Sequence, residues 1–195
     1  GVEALAACAA RLEAAMVVTT ASQAASTAAA LLAERDLAGP DELSASGRDR
    51  WRAKTKRRTW TEIAPAIGWT AGECTHLVAL ATAPVAFSAP VVGQMGRGQL
   101  SWRLARGLWR ACQGLDAADA AHVAQVMCGD DPRSCVPERL DADGSVTTAP
   151  WSHRAFWAAL EREVAKLTTA DGSEDAEADR AAREAAFAGR CVIAQ

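Results

Sequence analysis

Tyrosine is missing from this 195-residue chain and phenylalanine occurs only three times, so the large anchors of any core are the seven tryptophans together with Leu, Val and Ile. Histidine is nearly as scarce. His76, His122 and His153 lie far apart, no Cys-x-x-Cys pair occurs, and the spacing of a zinc site is not met. The six cysteines, Cys8, Cys74, Cys112, Cys128, Cys135 and Cys191, are scattered, and several sit in Ala/Leu/Val runs where cysteine acts as a small buried hydrophobe. No Ser/His/Asp order, phosphate-binding loop or dinucleotide fingerprint is present. No catalytic residue, cofactor or metal ligand is therefore expected. Asp130, Asp131, Asp141 and Asp143 fall in one polar stretch, where Asp serves turn geometry. The run Asp141-Ala142-Asp143-Gly144-Ser145 lacks the third acidic position and the closing Glu of a calcium loop. Long apolar runs are also lacking: Met16 to Ala33 contains Thr, Ser and Gln throughout and reads as too polar to span a bilayer. Gly1-Val2-Glu3 carries no basic signal-peptide start. A cytoplasmic protein with no membrane partner is expected.

Hydrophobic residues make up 50% of the chain, but much of that half is alanine, the strongest helix former and one that adds little buried area. The fold class expected is all-α, a multi-helix bundle of about seven or eight helices. The formal net charge of −3 conceals a strong polarity. Between Ser44 and Leu115 eleven Lys/Arg face only Asp49, Glu62 and Glu73, a local charge of +8, and the rest of the chain carries −11. A basic middle between acidic ends is a candidate surface for a polyanion.

Periodicity predicts a long N-terminal helix within residues 1–40, from Val2 to about Leu37 and closed by Gly39-Pro40. Residues 41–130 then form a basic helical core. Asp41 to Gly47 reads as loop, and Arg48 to Arg58 reads as a turn of helix or an extended connector. Thr61 is expected to cap a short helix from Glu62 to Ile67 that Gly68 closes. Thr70 and Glu73 form a Thr-x-x-Glu capping box for a second helix, which runs to about Ala83. Pro84 and Pro90 bracket a helix to Met95, Leu100 to Gln113 is helical, and Asp116 caps a helix reaching Cys128. Residues 131–149 read as a polar loop. Residues 150–195 hold an amphipathic helix from Trp151 to Leu167 with Trp157, Leu160, Val164 and Leu167 inward. A last helix follows from Glu174 to Ala188, with a possible strand at Arg190 to Ala194.

Four segments follow one another in a recognisable order: Ile63-Ala64, Leu77 to Ala81, Gly98 to Ser101 and Leu104 to Leu108. Asp175 to Val192 supplies a closing Asp-x-x-Ala, Arg, Ala and Arg-x-Val pattern. With the N-terminal helix, these cover nearly the whole chain and resemble the actinobacterial 13E12 repeat family, also called domain of unknown function 222. The resemblance implies a cytoplasmic, all-helical domain usually joined to a C-terminal HNH endonuclease domain, with a DNA-related role. HNH chemistry needs a general-base His and metal ligands from His, Asp or Asn. None of the three histidines stands in such an arrangement, so the chain is expected to be a non-catalytic DNA-binding or accessory module.

Three constellations are candidates for contact with duplex DNA. The helix pair from Glu62 to Ala83 has helix-turn-helix-like spacing, with Ala64, Gly68, Cys74 and Leu77 at the crossing, turn and core positions. Thr70, Thr75 and His76 would then face the groove. The alternative is a plain helical corner, and Pro65, which removes a backbone donor, favours it. On the helix after Leu100, Arg103, Arg106 and Arg110 share one side beside Trp102 and Trp109, with Arg97 in the preceding turn. The bland alternative is a solvated face. Third, Arg48, Arg50, Arg52, Lys54, Lys56, Arg57 and Arg58 could neutralise several phosphates or serve as a soluble linker. A rival for the whole chain is a protein-interaction module, with a homodimer formed through the N-terminal helix.

Overall fold

The computed structural model describes residues 1–169. Among them lie seven α-helices and no strand: α1 (Val2–Ala33), α2 (Ala45–Ile67), α3 (Ala71–Thr82), α4 (Val85–Gly96), α5 (Trp102–Ala111), α6 (Ala117–Cys128) and α7 (His153–Thr169). The fold is all-α, as composition leads one to expect. The helix and strand expected beyond Asp171, and the pattern from Asp175 to Val192, lie outside the described residues. The chain divides into two compact units, one of Met16–Thr82 and one of Gly1–Ala15 with the chain from Ala83 onward.

In the Met16–Thr82 unit the core is built from small residues. Ala24 and Ala28 of α1, Ile63 and Ala64 of α2, and Cys74 and Val78 of α3 bury together, with Leu31, Trp60 and Ile67 packed against them. α1 ends at Ala33, short of the expected Gly39-Pro40. The Asp36 carboxylate accepts from the N–H groups of Ala38 and Gly39 at 2.9 and 2.9 Å, and the Asp36 carbonyl accepts from Trp51 Nε1 at 2.8 Å. A helical backbone could not make that turn, so local side-chain hydrogen bonding wins over helix propagation.

α2 corrects the expectation of a turn of helix or an extended connector followed by a separate short capped helix. It is one helix of 23 residues, capped by Ser44, whose hydroxyl accepts from the N–H of Gly47 at 3.2 Å. Thr61 is not a cap. It lies mid-helix and donates its hydroxyl to the Arg57 carbonyl at 3.0 Å. Trp51, Thr55, Thr59, Ile63 and Ile67 are buried or half-buried and recur every fourth residue, so one stripe holds the helix down along its length. Arg, Lys and Ala between them are good helix formers. The α2–α3 corner matches expectation closely: Gly68 is left-handed at φ 69°, and Trp69 N–H reaches the Ala64 carbonyl at 3.1 Å. The capping box is complete, with Thr70 N–H to Glu73 Oε2 at 3.1 Å and Glu73 N–H to Thr70 Oγ1 at 3.2 Å.

In the other unit α4 and α6 pack together, α6 meets α7, and α7 meets α5. Phe87, Val91, Met95, Leu100, Leu108, Val123, Met127, Phe156 and Leu160 fill the interior. Pro84 precedes α4 and Pro90 lies inside it. Gly98, at φ 75°, sits in the turn after α4, and a Cβ there would lie 3.3 Å from the Ala7 carbonyl oxygen of α1, so glycine serves both the conformation and the close approach. Ser101 caps α5 and Asp116 caps α6, the latter accepting from Asp119 N–H at 2.7 Å. The polar loop is less empty than expected. It holds a 3-10 turn (Pro137–Arg139) and an isolated antiparallel bridge between Leu140 and Val146. Of the inward positions expected on α7, Leu160 and Leu167 are buried and Trp157 and Val164 half-buried, while Phe156 and Ala159 are fully buried.

In α1 an 18-residue window within Ala4–Ala33 reaches a mean hydropathy of 1.4, and that stretch is, by length and composition, apolar enough to cross a membrane. Its alanines outweigh the Thr, Ser and Gln that made it read as too polar, and Arg11 and Glu13 are its only charges.

Candidate nucleic-acid interface

The fourfold stripe that anchors α2 leaves its other faces in solvent, and all seven cations fall there. Arg48, Arg50, Arg52, Lys54, Lys56, Arg57 and Arg58 are exposed. Acid offsets few of them: Asp49 lies 3.6 Å from Arg52, and Glu62 is shared between Arg58 at 3.3 Å and Arg35. Arg48 donates to the Leu43 carbonyl at 2.6 Å. Among the described residues Arg50, Lys54, Lys56 and Arg57 make no ion pair. From Arg48 to Arg58 the helix rises about 15 Å, a span of roughly four phosphates on one strand of duplex DNA.

α5 presents a second cationic surface, in the unit that joins Gly1–Ala15 to the chain from Ala83 onward. Arg103 and Arg110 are exposed and Arg106 half-exposed, while Leu104, Ala105, Gly107 and Leu108 are buried on the opposite side. Arg110 stands in the last turn, where the carbonyl end of the helix favours a cation. Trp109 is turned inward: its ring meets Phe87 edge-to-face with centroids 5.4 Å apart, and its indole nitrogen is buried. It is not placed to stack on an exposed base. Arg97 is occupied, donating to Asp130 Oδ1 at 2.7 Å and to Gln99 Oε1 at 3.1 Å.

The helix-turn-helix-like corner has the expected backbone but a poor reading surface. Thr70 is committed to the capping box, with its hydroxyl donating to Glu73 Oε2 at 2.8 Å. Thr75 donates to the Ala71 carbonyl at 2.9 Å and is exposed, whereas His76 is half-buried. Over its length α3 has no Lys, Arg, Asn or Gln, the side chains that make the two-point contacts to guanine and adenine in the major groove. The predicted site residues therefore form one set on α2 and one on α5, each described within its own unit, with Thr70, Thr75, His76 and Arg97 engaged mainly in the fold.

Residues that the sequence did not single out also matter. Arg139 is 1% exposed, and its guanidinium holds the Ala149 carbonyl at 2.8 Å and the Thr147 carbonyl at 2.7 Å. A lone Arg in a polar loop gives no sequence signal of this. Val2, Leu5, Leu12 and Met16 of α1 are 85%, 71%, 67% and 55% exposed. With Ala9 they recur at alternating steps of three and four, the pattern of a seam between helices. Among the described residues no cluster of three or more His, Cys, Asp or Glu is placed to hold a metal ion. Comparison of the chain with models of protein families, with curated proteins and with solved structures finds no match.

Proposed function

We propose that this chain is a non-catalytic helical module that holds duplex DNA by its phosphates, chiefly through α2, as an accessory to a nuclease-type domain. The observation that carries the proposal is the seven exposed cations of Arg48 to Arg58 on one continuous helix, most of them without an acid partner. Unpaired like charges on one helix repel one another, and a polyanion relieves that cost. The composition of α3 favours contact without sequence preference, since phosphates position a protein and base edges specify it. The resemblance to the 13E12 repeat family agrees with a DNA-related role.

The test is fluorescence anisotropy with a labelled duplex over a salt series. Release of counterions by about four contacts gives a slope near −4 in log affinity against log salt. Reversing Arg50, Lys54 and Arg57 to Glu is expected to flatten that slope and weaken binding by at least tenfold, and reversing Arg103, Arg106 and Arg110 to weaken it less. Absence of binding at low salt sinks the proposal.

A second function is favoured by the α1 stripe. Val2, Leu5, Ala9, Leu12 and Met16 offer a helix-pairing seam, which supports an interaction module, in the simplest case a homodimer through α1. Sedimentation of wild type beside Leu5→Lys/Leu12→Lys separates the two, because only this second function requires the variant to change mass.

A further inference from the structure

Two adjoining depressions lie between α5 and α7, and Trp157 and Ala111 line both. One, about 400 Å³, is bordered by Gly107, Arg110 and Gln113; the other, about 380 Å³, continues over Leu160 and Val164 and has Glu161 at its side. Together they join a cationic, hydrogen-bonding end to an apolar end across a single indole.

That indole is fixed in place. Its Nε1 donates to His153 Nε2 at 3.0 Å, and its ring meets Phe156 edge-to-face at 5.6 Å. It also lies against the backbone of Gly107, where a Cβ would overlap the six-membered ring, with Cζ2 only 2.8 Å away. Trp157 is nevertheless half-exposed. With its N–H satisfied, what the indole adds to the lining of both depressions is apolar aromatic surface, at no further cost in side-chain ordering. Arg110 is exposed at the rim and makes no ion pair among the described residues. Gln113, also exposed, adds an amide that both donates and accepts.

We propose that this site takes one unpaired nucleotide of a DNA strand, its phosphate on Arg110 and its base against Trp157. The inference rests on the DNA-binding proposal and adds to it a preference for single-stranded or extruded bases. A fixed aromatic beside a free cation is the pairing that captures an unstacked base, because every base has a π-face and every nucleotide a phosphate. A base inside a duplex is already stacked and does not reach such a site. The volume is in the range of small-ligand pockets. Glu161 repels phosphate at the apolar end and so sets the direction in which the nucleotide lies.

The experiment is anisotropy with a labelled 12-mer single strand, the same strand in duplex and, as competitor, free deoxyadenosine monophosphate. The proteins are wild type, Trp157→Ala, Trp157→Phe and Arg110→Gln, each checked for helicity by circular dichroism. Trp157→Ala is expected to weaken the single strand by about tenfold, the loss typical of one stacked base, and to leave the duplex unchanged. Trp157→Phe should hold within about threefold, and Arg110→Gln should weaken the single strand by at least threefold. If Trp157→Ala does not fold, Arg110→Gln decides, since Arg110 is exposed and its loss leaves the core intact. A folded Trp157→Ala or Arg110→Gln variant that binds the single strand like wild type overturns the inference, as does equal competition by the free nucleotide. Duplex binding without single-strand binding removes this inference alone, whereas loss of both removes the DNA-binding proposal as well.

Discussion

The Arg139 guanidinium lies over the Trp151 ring, 5.3 Å from its centroid, with both its terminal nitrogens on backbone carbonyls. Trp151 is in turn fixed by its Nε1 donating to the buried Gln94 Oε1 at 3.1 Å and by its N–H on the Gln99 carbonyl at 2.9 Å. One buried cation thus closes the long polar segment between α6 and α7 onto the turn after α4. Burial lowers the Arg139 pKa, but a guanidinium remains charged inside proteins. Arg139→Met keeps the stem and removes two charge-assisted hydrogen bonds and the cation–π contact. A loss of about 2–4 kcal/mol is expected in urea denaturation, from the desolvated carbonyls and the lost contacts. Arg139→Lys reaches one carbonyl at most and should fall between the two.

The cysteines should divide by environment. Burial pushes the Cys112 and Cys128 thiols up to about 12 and raises Cys74, while Cys8 is exposed. At pH 8 a thiol of pKa 12 is thiolate in about one molecule in ten thousand, and the thiolate is the reactive species. Maleimide labelling at pH 8 followed by peptide mass mapping should therefore modify Cys8 within minutes and leave Cys112 and Cys128 unmodified until denaturant is added. Labelling of Cys128 in the native protein would contradict the packing of α6.

Glu138 and Arg162 form a two-point ion pair, with oxygen–nitrogen distances of 2.8 and 2.9 Å, joining the 3-10 turn to α7. The Arg162 guanidinium holds the Glu138 carboxyl below its ordinary value of 4.5. The folded pKa lies below the unfolded one, so the stabilisation is complete above about 4.5 and is lost as pH falls through the folded value. The pair is partly exposed, and solvent screening limits it to about 0.5–1 kcal/mol. Glu138→Gln should be less stable than wild type by that amount at pH 7, with the difference shrinking as pH falls below 4.5 and vanishing once Glu138 is protonated in the folded protein. A gap that persists in acid would mean that packing, not charge, accounts for it.

Much of the helical framework is legible in the residues because caps are local. The Thr70/Glu73 box, Gly68 and Asp116 act within four residues of themselves, so the chain alone identifies them. α2 is the contrary case. Its inward stripe of Trp51, Thr55 and Thr59 before Ile63 is too polar to register as a hydrophobic period, so the cations between read as no more than a turn of helix or a connector. The early end of α1 depends on Trp51 meeting Asp36, fifteen residues away, and such partners are invisible to propensity. The same limit applies to the candidate sites. That Arg50 and Arg110 are exposed follows from patterning, but that Arg97 is taken by Asp130 and that Trp157 stands beside Arg110 are products of tertiary packing.

Gly107 illustrates a competition whose sign the structure decides. An alanine inside a helix is ordinarily about 1 kcal/mol better than glycine, and α5 would gain that much. A Cβ at position 107, however, would fall 2.8 Å from Trp157 Cζ2 and overlap the ring beyond it. Trp157 cannot simply swing away, because its Nε1 is held by His153 and its ring abuts Phe156, which is fully buried. Overpacking of this kind costs about 1–3 kcal/mol, so Gly107→Ala should be net destabilising by up to about 2 kcal/mol despite its better propensity. Pairing it with Trp157→Ala removes the clash. In that background the same substitution should become stabilising, and a thermal-melting double-mutant cycle reads the change of sign directly. A Gly107→Ala protein as stable as wild type in the presence of Trp157 would mean that α5 and α7 can separate at little cost.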